Sequence, residues 1–197
     1  PFSLTPTVQI PTPAAPLALA WSPSGAQLAI GGSDGLLRVW DVATARYVWE
    51  TPAFPAPIRA IAWGDRVAVA ARATGSVRLF APTGQPDGEI TLSGPVISLA
   101  FAPEGRLLAI GGAVDGTYER GFLSLWDAAT RTILRTYRAD MRPASRLAWV
   151  ADSPDQLAVL TRYDLFVWGV AADETRPVDM RLAEGSETAA FAWSEED

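Results

Sequence analysis

Residues 17–41 read LALAWSPSGAQLAIGGSDGLLRVWD, and this stretch decides the fold. It holds three short apolar runs separated by residues that favour turns, first Ser-Pro-Ser-Gly and then Ser-Asp-Gly. Apolar runs of this length between turn signals are typical of buried β-strands, because buried helices need longer stretches. The segment therefore predicts three antiparallel strands joined by tight turns.

The same pattern returns along the rest of the chain. The aromatic residues that end the first strand of each unit are Trp21, Trp63, Phe101, Trp149 and Trp193, which lie 42, 38, 48 and 44 positions apart. Those that end the third strand are Trp40, Phe80, Trp126 and Trp168, which lie 40, 46 and 42 positions apart. A fourth, more variable strand follows each third strand, as at residues 46–50. Each unit is predicted to be a four-stranded antiparallel meander without a helix.

Residues 21–41, with Trp-Ser-Pro-Ser-Gly, Gly-Gly-Ser-Asp-Gly and Val-Trp-Asp, resemble a Trp-Asp (WD) repeat of a β-propeller, and residues 105–127 resemble another. The second and fourth units are degenerate, because Ala81 and Gly169 replace the Asp of the pair. The period matches that of a propeller blade. The resemblance implies an all-β propeller with four complete blades and the start of a fifth, at about 17–53, 57–93, 95–139, 144–184 and 188–197. Residues 1–16 are rich in Pro and are predicted to form a leader or a ring-closing outer strand.

The resemblance also carries a departure from the family. WD repeats commonly use a His in a buried hydrogen-bond network, and this chain has no His. We therefore expect the blades to be held mainly by packing of their anchor aromatics. The turn residues Asp34 and Asp115 are expected to close their own turns through backbone bonds. The predicted structural tryptophans are Trp21, Trp40, Trp63, Trp126, Trp149 and Trp168, and Trp49 is expected to cover a blade edge.

The composition excludes most catalytic chemistry. The 197 residues include no Cys and no His, and all sixteen basic residues are Arg. A Ser-His-Asp triad, a thiol nucleophile, a zinc site of the usual kind and a lysine Schiff base are therefore excluded. We predict no catalytic residue, no metal site and no cofactor.

Charge and hydropathy limit the partners. The formal charge of -6 argues against nucleic acid, which is normally bound by a basic patch. No apolar run approaches 18 residues, so membrane insertion is not predicted. The sequence does not determine the compartment, and the cytoplasm is favoured.

Candidate binding residues lie on the predicted rim, because loops carry most binding residues. In a propeller, the loops between blades and those between second and third strands share one rim. By position this rim includes Phe54, Arg59, Arg72, Met141, Arg142, Ser145, Arg162 and Tyr163. The third unit adds a loop that is longer by about six residues, near 113–121. Tyr and Arg are enriched at interface hot spots, so the predicted partner-binding residues are Arg59, Arg72, Tyr118, Arg120, Arg142 and Tyr163. The alternative for each is a solvated loop residue.

The resemblance implies a non-enzymatic scaffold that binds a protein or peptide partner through rim loops. One alternative is a sensory or regulatory module of a larger signalling or defence protein. A propeller hydrolase is less favoured, because it needs clustered acids near the axis and the first strands carry none. A four-blade arc leaves apolar faces bare. We therefore expect either a fragment of a longer propeller or a second copy that closes the ring.

Overall fold

A computed structural model describes residues 9–71, 74–114, 119–138, 141–150, 153–170 and 178–181. In these ranges every regular element is a β-strand, and the strands form four-stranded antiparallel sheets. Each sheet is built from four consecutive strands, as expected for a WD-type blade. The predicted all-β blades are confirmed. The predicted start of a fifth blade lies outside the described residues, and the division into a leader and a blade region stays a prediction.

The strands follow one another in four equivalent groups. Blade 1 contains β1 (Pro16–Trp21), β2 (Gln27–Gly32), β3 (Leu36–Asp41) and β4 (Arg46–Pro52). Blade 2 contains β5 (Ile58–Trp63), β6 (Val67–Ala71), β7 (Ser76–Phe80) and β8 (Pro86–Thr91). Blade 3 contains β9 (Val96–Phe101), β10 (Leu107–Ala113), β11 (Gly121–Asp127) and β12 (Thr132–Arg138). Blade 4 contains β13 (Arg146–Val150), β14 (Ser153–Leu160), β15 (Asp164–Gly169) and β16 (Val178–Arg181).

The first strand of each blade is innermost. Strands pair only with their neighbours in the chain, so every blade is a simple meander. The inner strands pack on one another in order: β1 on β5, β5 on β9 and β9 on β13. The turns after β1 and β9 contain Gly25 and Gly105 at φ of 69° and 75°, a conformation that Gly adopts without strain. The blades therefore succeed one another around a common axis.

Three apolar cores lie between consecutive blades. Blade 2 contributes Ala60, Ala68 and Val77 to the core that it shares with blade 3, which contributes Leu108 and Trp126. Alanine side chains and larger apolar side chains from both blades pack together there. The cores between blades 1 and 2 and between blades 3 and 4 follow the same pattern, with Ala29, Leu37, Val69 and Phe80 in the former and Ala109, Leu123, Val159 and Trp168 in the latter.

Most of the predicted anchor tryptophans are buried. Trp126, Trp149 and Trp168 lie in these cores, and Trp63 packs against the core of blades 1 and 2. Trp40 is buried in a separate cluster of blade 1. Trp21 does not fit the prediction, because it is 58% exposed. Its counterparts Trp63 and Trp149 rest against the blade before them. No blade precedes β1 in the described part of the chain. The neighbouring Leu19 is exposed for the same reason.

Trp49 covers a blade edge, as predicted. Its Nε1 donates a hydrogen bond to the carbonyl oxygen of Pro82, 2.9 Å away in the turn between β7 and β8. Its ring lies against Gly84 in that same turn, where a Cβ would meet the indole. The outermost strand of blade 1 is thereby tied to blade 2.

Ion pairs link the turn between β2 and β3 to the third and fourth strands of blade 1. Asp34 accepts a hydrogen bond from the backbone N–H of Leu36 at 3.2 Å, which confirms its predicted turn role. It also forms an ion pair with the buried Arg38 at 2.7 Å, and Arg38 bonds Glu50 on β4. The Arg38 guanidinium holds the pKa of Asp34 below its ordinary value. The second predicted turn residue, Asp115, lies outside the described residues.

Candidate partner-binding rim

Two sets of connections meet along one edge of the arc. The link from β4 to β5 lies on the turn between β2 and β3, where Ala53 N and Phe54 N both donate to the carbonyl oxygen of Gly35 at 3.0 and 3.1 Å. The same contact recurs in the next blade between Leu92 N and the carbonyl oxygen of Gly75, at 2.7 Å. The predicted sharing of one rim by these loops is confirmed.

Gly35 is required by this arrangement. Its φ is 77°, in the left-handed region where Gly is favoured. A Cβ at this position would overlap the carbonyl oxygen of Phe54. In blade 3, Gly121 allows a similar approach, because a Cβ there would lie 2.8 Å from backbone atoms of Arg142 and Pro143. The rim loops therefore stand on closely packed backbone.

A cluster of charged and aromatic side chains lies where blades 3 and 4 meet on this rim. We call Glu119, Arg142, Arg162 and Tyr163 the rim cluster. The Arg142 Nη1 lies 2.8 Å from the Glu119 Oε2. The guanidinium carbons of Arg142 and Arg162 both lie 5.3 Å from the centre of the Tyr163 ring. The structure thus brings together Arg142 and Tyr163, which the sequence placed on separate loops.

The turn that carries Tyr163 is fixed by a buried hydroxyl. Thr161 follows β14 and is fully buried. Its Oγ1 accepts hydrogen bonds from Tyr163 N at 3.3 Å and from Asp164 N at 3.0 Å. Because a Thr hydroxyl of this kind defines the turn locally, the backbone of Tyr163 is held in a set conformation. Tyr163 nevertheless remains 40% exposed and is accessible to a partner.

The first residues of the inner strands surround a second feature, a cavity of about 420 Å³. We call it the axial cavity. It is lined by residues of all four inner strands or of the residue just before them, namely Pro16–Leu19, Arg59–Ile61, Ile97–Leu99 and Ser145–Leu147. These residues lie at the rim ends of their strands. The cavity and the rim cluster therefore belong to the same edge of the arc.

Arg59 reaches the axial cavity because of a β-bulge. The register between β5 and β6 shifts between Ile58 and Ala60, which leaves Arg59 without a partner in the ladder. Such a bulge redirects one side chain away from the alternation of the strand. The register shifts at the same level in blades 1 and 3, around Leu17 and Ile97. Arg59 therefore lines the axial cavity, and its role in partner binding stays a prediction.

Arg146 is a cavity residue that the sequence reasoning missed. It pairs with Leu160 at the register that Ala60 holds in blade 2. The repeat places a small residue here, Ala18 in blade 1 and Ser98 in blade 3. The sequence signal that could have identified Arg146 is a long cationic side chain at a position where the other blades carry a small residue. The side chain is exposed and lines the cavity.

The other rim predictions have mixed outcomes. Arg120 is exposed beside the rim cluster, whereas Arg72 and Tyr118 lie outside the described residues. Phe54 is not a surface residue, because it is only 6% exposed and belongs to the core between blades 1 and 2. The guanidinium of Arg78 lies 4.7 Å from its ring centre. The close approach of the β4–β5 link to Gly35 draws Phe54 inward.

The described residues place no three His, Cys, Asp or Glu side chains where they would hold a metal ion. Across those same residues, no helix is long and apolar enough to cross a membrane. What the rim offers chemically is an exposed Tyr between two guanidinium groups and a cavity with two further arginines. Tyr and Arg in such settings are typical anchors of protein interfaces.

Comparison with known proteins gives a family match and two kinds of relative. Residues 9–41 match the WD40 family, described as "WD domain, G-beta repeat". The anaphase-promoting complex subunit cdc20 of Dictyostelium discoideum is 26% identical over 163 residues, which cover 80% of this chain and 30% of that protein. The ribosome biogenesis protein ERB1 of Ajellomyces capsulatus is 38% identical over 68 residues, or 32% of this chain and 9% of that protein.

A solved structure shares the fold. The crystal structure of the mitotic checkpoint complex contains a chain that superimposes with a TM-score of 0.70 at 21% sequence identity. The superposition covers 86% of this chain and 51% of that one. The chain therefore spans less than a third of the length of the two curated relatives named above and about half of the solved one.

Proposed function

We propose that this chain, whose residues 9–41 match the WD-repeat family, is a non-enzymatic scaffold that binds a protein partner through its rim. The fold and the relatives support a protein-interaction role in general. The specific assignment to the rim loops is our proposal. It follows from where the exposed Tyr and Arg side chains lie.

The rim cluster is the observation that carries this proposal. Tyr163 is exposed, yet its backbone is fixed by Thr161 and its ring lies beside two guanidinium groups. A side chain that is ordered before binding loses less conformational entropy when a partner covers it. Each cation–π interaction between a guanidinium group and an aromatic ring contributes about 0.5–1 kcal/mol at exposed sites, which helps to order the ring. The cluster is therefore prepared to act as an interface anchor.

The alternatives have less support. A hydrolase that uses paired carboxylates needs acids at a cleft, and the lining of the axial cavity shows no Asp or Glu in the described part of the chain. A sensory or regulatory module of a larger protein would use the same rim and differs only in what the chain is joined to. The favoured cytoplasmic location likewise stays a prediction.

We further propose that another propeller blade covers the innermost strand of blade 1. Leu19 and Trp21 on that strand are more than half exposed, whereas their counterparts in blades 2, 3 and 4 pack against the preceding blade. Leu28, Ile30 and Trp40 of the same face are already buried, with Ile10 and Tyr47 packed against them. A further blade of a longer chain or the last blade of a second copy would supply such a surface. Sedimentation velocity of the 197-residue chain distinguishes these two sources. Covering by a second copy predicts a dimer, and a monodisperse monomer would contradict that source.

Quantitative affinity capture tests the rim. The immobilised chain is compared with a double variant, Arg142→Ala with Tyr163→Ala, and the retained proteins are quantified by mass spectrometry. A matched control, Val42→Ala with Arg46→Ala, removes an exposed apolar residue and a cation from the opposite edge. We expect a partner that the chain and the control retain and the rim variant loses, with equal melting temperatures. Equal retention by all three would contradict the proposal.

A further inference from the structure

We propose that the axial cavity binds an acidic peptide segment, through the guanidinium groups of Arg59 and Arg146. This inference rests on the proposed function for the existence of a protein partner. It adds the chemistry of the segment that the partner inserts.

Arg59 and Arg146 differ from the arginines that form ion pairs. Six arginines of the described residues have a carboxylate partner: Arg38 with Asp34, Arg66 and Arg131 with Asp87, Arg78 with Glu89, Arg106 with Asp127 and Arg142 with Glu119. Arg59 has no acidic partner in the described part of the chain. Arg146 donates only to the carbonyl oxygen of the adjacent Ser145, at 3.0 Å. Two guanidinium groups thus line one cavity with their capacity to bind a carboxylate unused.

The remaining polar groups of the cavity wall are already engaged. The Ser98 hydroxyl donates to the carbonyl oxygen of Ala144 at 2.7 Å, and the Ser145 hydroxyl donates to that of Leu160 at 3.1 Å. Among the described residues, the lining contains no Asp or Glu that would neutralise the arginines or repel a carboxylate. The local charge of the cavity is therefore positive.

The cavity has room for a few side chains of a partner. The space between the four described inner strands has a volume of about 420 Å³, which lies within the range of small-ligand sites. Leu17 and Ile97 add apolar wall between the charged positions. A short extended segment with carboxylates and an aliphatic residue fits these properties.

The net charge of the chain makes this recognition local. At a formal charge of -6, the protein as a whole repels an acidic peptide. Any measured preference for an acidic over a neutral peptide must therefore come from a specific positive site. The described rim provides that site at the axial cavity.

Fluorescence anisotropy tests the inference with defined probes. A fluorescein-labelled peptide with a Glu-Leu-Glu core is titrated with the chain and compared with its Gln-Leu-Gln counterpart. We expect the Glu peptide to bind more tightly. The double variant of Arg59→Gln with Arg146→Gln should lose affinity by about tenfold or more, the range of lost hydrogen bonds between charged groups.

A matched control carries Arg46→Gln with Arg135→Gln, two exposed arginines away from the cavity, and changes the net charge equally. It should bind the Glu peptide within about twofold of the unaltered chain. Equal binding of both peptides, equal losses in both double variants, or no binding at millimolar peptide would each overturn the inference. A partner captured through the rim cluster and unaffected by the cavity variant would refute the acidic site alone and leave the proposed function standing.

Discussion

Replacing Trp149 with Ala should destabilise the protein strongly, whereas the same change at Trp21 should have little effect. The two residues hold the same position in blades 4 and 1. Trp149 is buried between blades 3 and 4, and its Nε1 donates to the carbonyl oxygen of Ala100 at 3.0 Å. Trp21 is 58% exposed. The pair therefore measures how much one blade stabilises the next.

The expected magnitude follows from the buried area. A Trp side chain buries about 150–250 Å², which at about 25 cal/mol per Å² corresponds to about 4–6 kcal/mol as an upper value. Measured Trp→Ala changes in cores cost about 3–5 kcal/mol, which we expect for Trp149→Ala. At about 2–4 °C for each kcal/mol in a chain of this size, the melting temperature falls by about 6–20 °C. For Trp21→Ala we expect the free energy of unfolding to fall by about 1 kcal/mol or less.

Guanidinium chloride denaturation followed by circular dichroism measures both free energies of unfolding. The unaltered chain and the two variants are compared in the same buffer and at the same protein concentration. A loss at Trp21 as large as that at Trp149 would refute the reasoning, because it would show that the two residues have equivalent surroundings. A loss below about 1 kcal/mol at Trp149 would refute the assigned strand register.

Two further predictions concern the rim turns and acid. Gly35→Ala should lower the free energy of unfolding more than Gly25→Ala. Both glycines have a positive φ, which costs about 1–2 kcal/mol for Ala, but only at Gly35 would a Cβ also overlap backbone atoms. Equal shifts of the melting temperature would contradict this prediction. The pKa values of Asp34, Asp87 and Asp127 are lowered, chiefly by hydrogen bonds from Arg38, Arg131 and Arg106 respectively. Because a lowered folded-state pKa stabilises above the unfolded value, the melting temperature should hold from neutral pH to about 5 and fall as the pH drops below about 4. Asp127→Asn should make that decline shallower, and an unchanged pH profile would count against the ion pair with Arg106.

Much of the fold could be predicted because the blade is a local unit. Strand and turn signals within about 40 residues define each meander, and the anchors Trp40, Trp126 and Trp168 lie where the repeat places them. The exposure of Trp21 could not be predicted from the repeat, because the burial of this side chain depends on whether another blade precedes β1. The prediction that Phe54 lies exposed on the rim was wrong for a related reason. Its loop packs onto Gly35 of the same blade, and no local sequence pattern predicts that contact.

The candidate site was only partly accessible to sequence reasoning. Position in the repeat predicted that Arg59, Arg142 and Tyr163 share a rim. It did not predict that Arg142 and Arg162 flank the same ring, since that depends on how blades 3 and 4 meet. Arg146 could not be predicted from the apolar alternation of the first strand. That alternation indicates which residues are buried, and it does not indicate which of the remaining side chains line the cavity.

Site-specific photocrosslinking tests the central claim most directly. A photoreactive phenylalanine analogue is placed at Tyr163 on the rim and, in a second protein, at Thr44 in the turn between β3 and β4 on the opposite edge. The two proteins are expressed and irradiated under identical conditions. We expect a discrete crosslinked partner from position 163 and none from position 44. A partner crosslinked only from position 44, or equally from both positions, would contradict the assignment of partner binding to the rim.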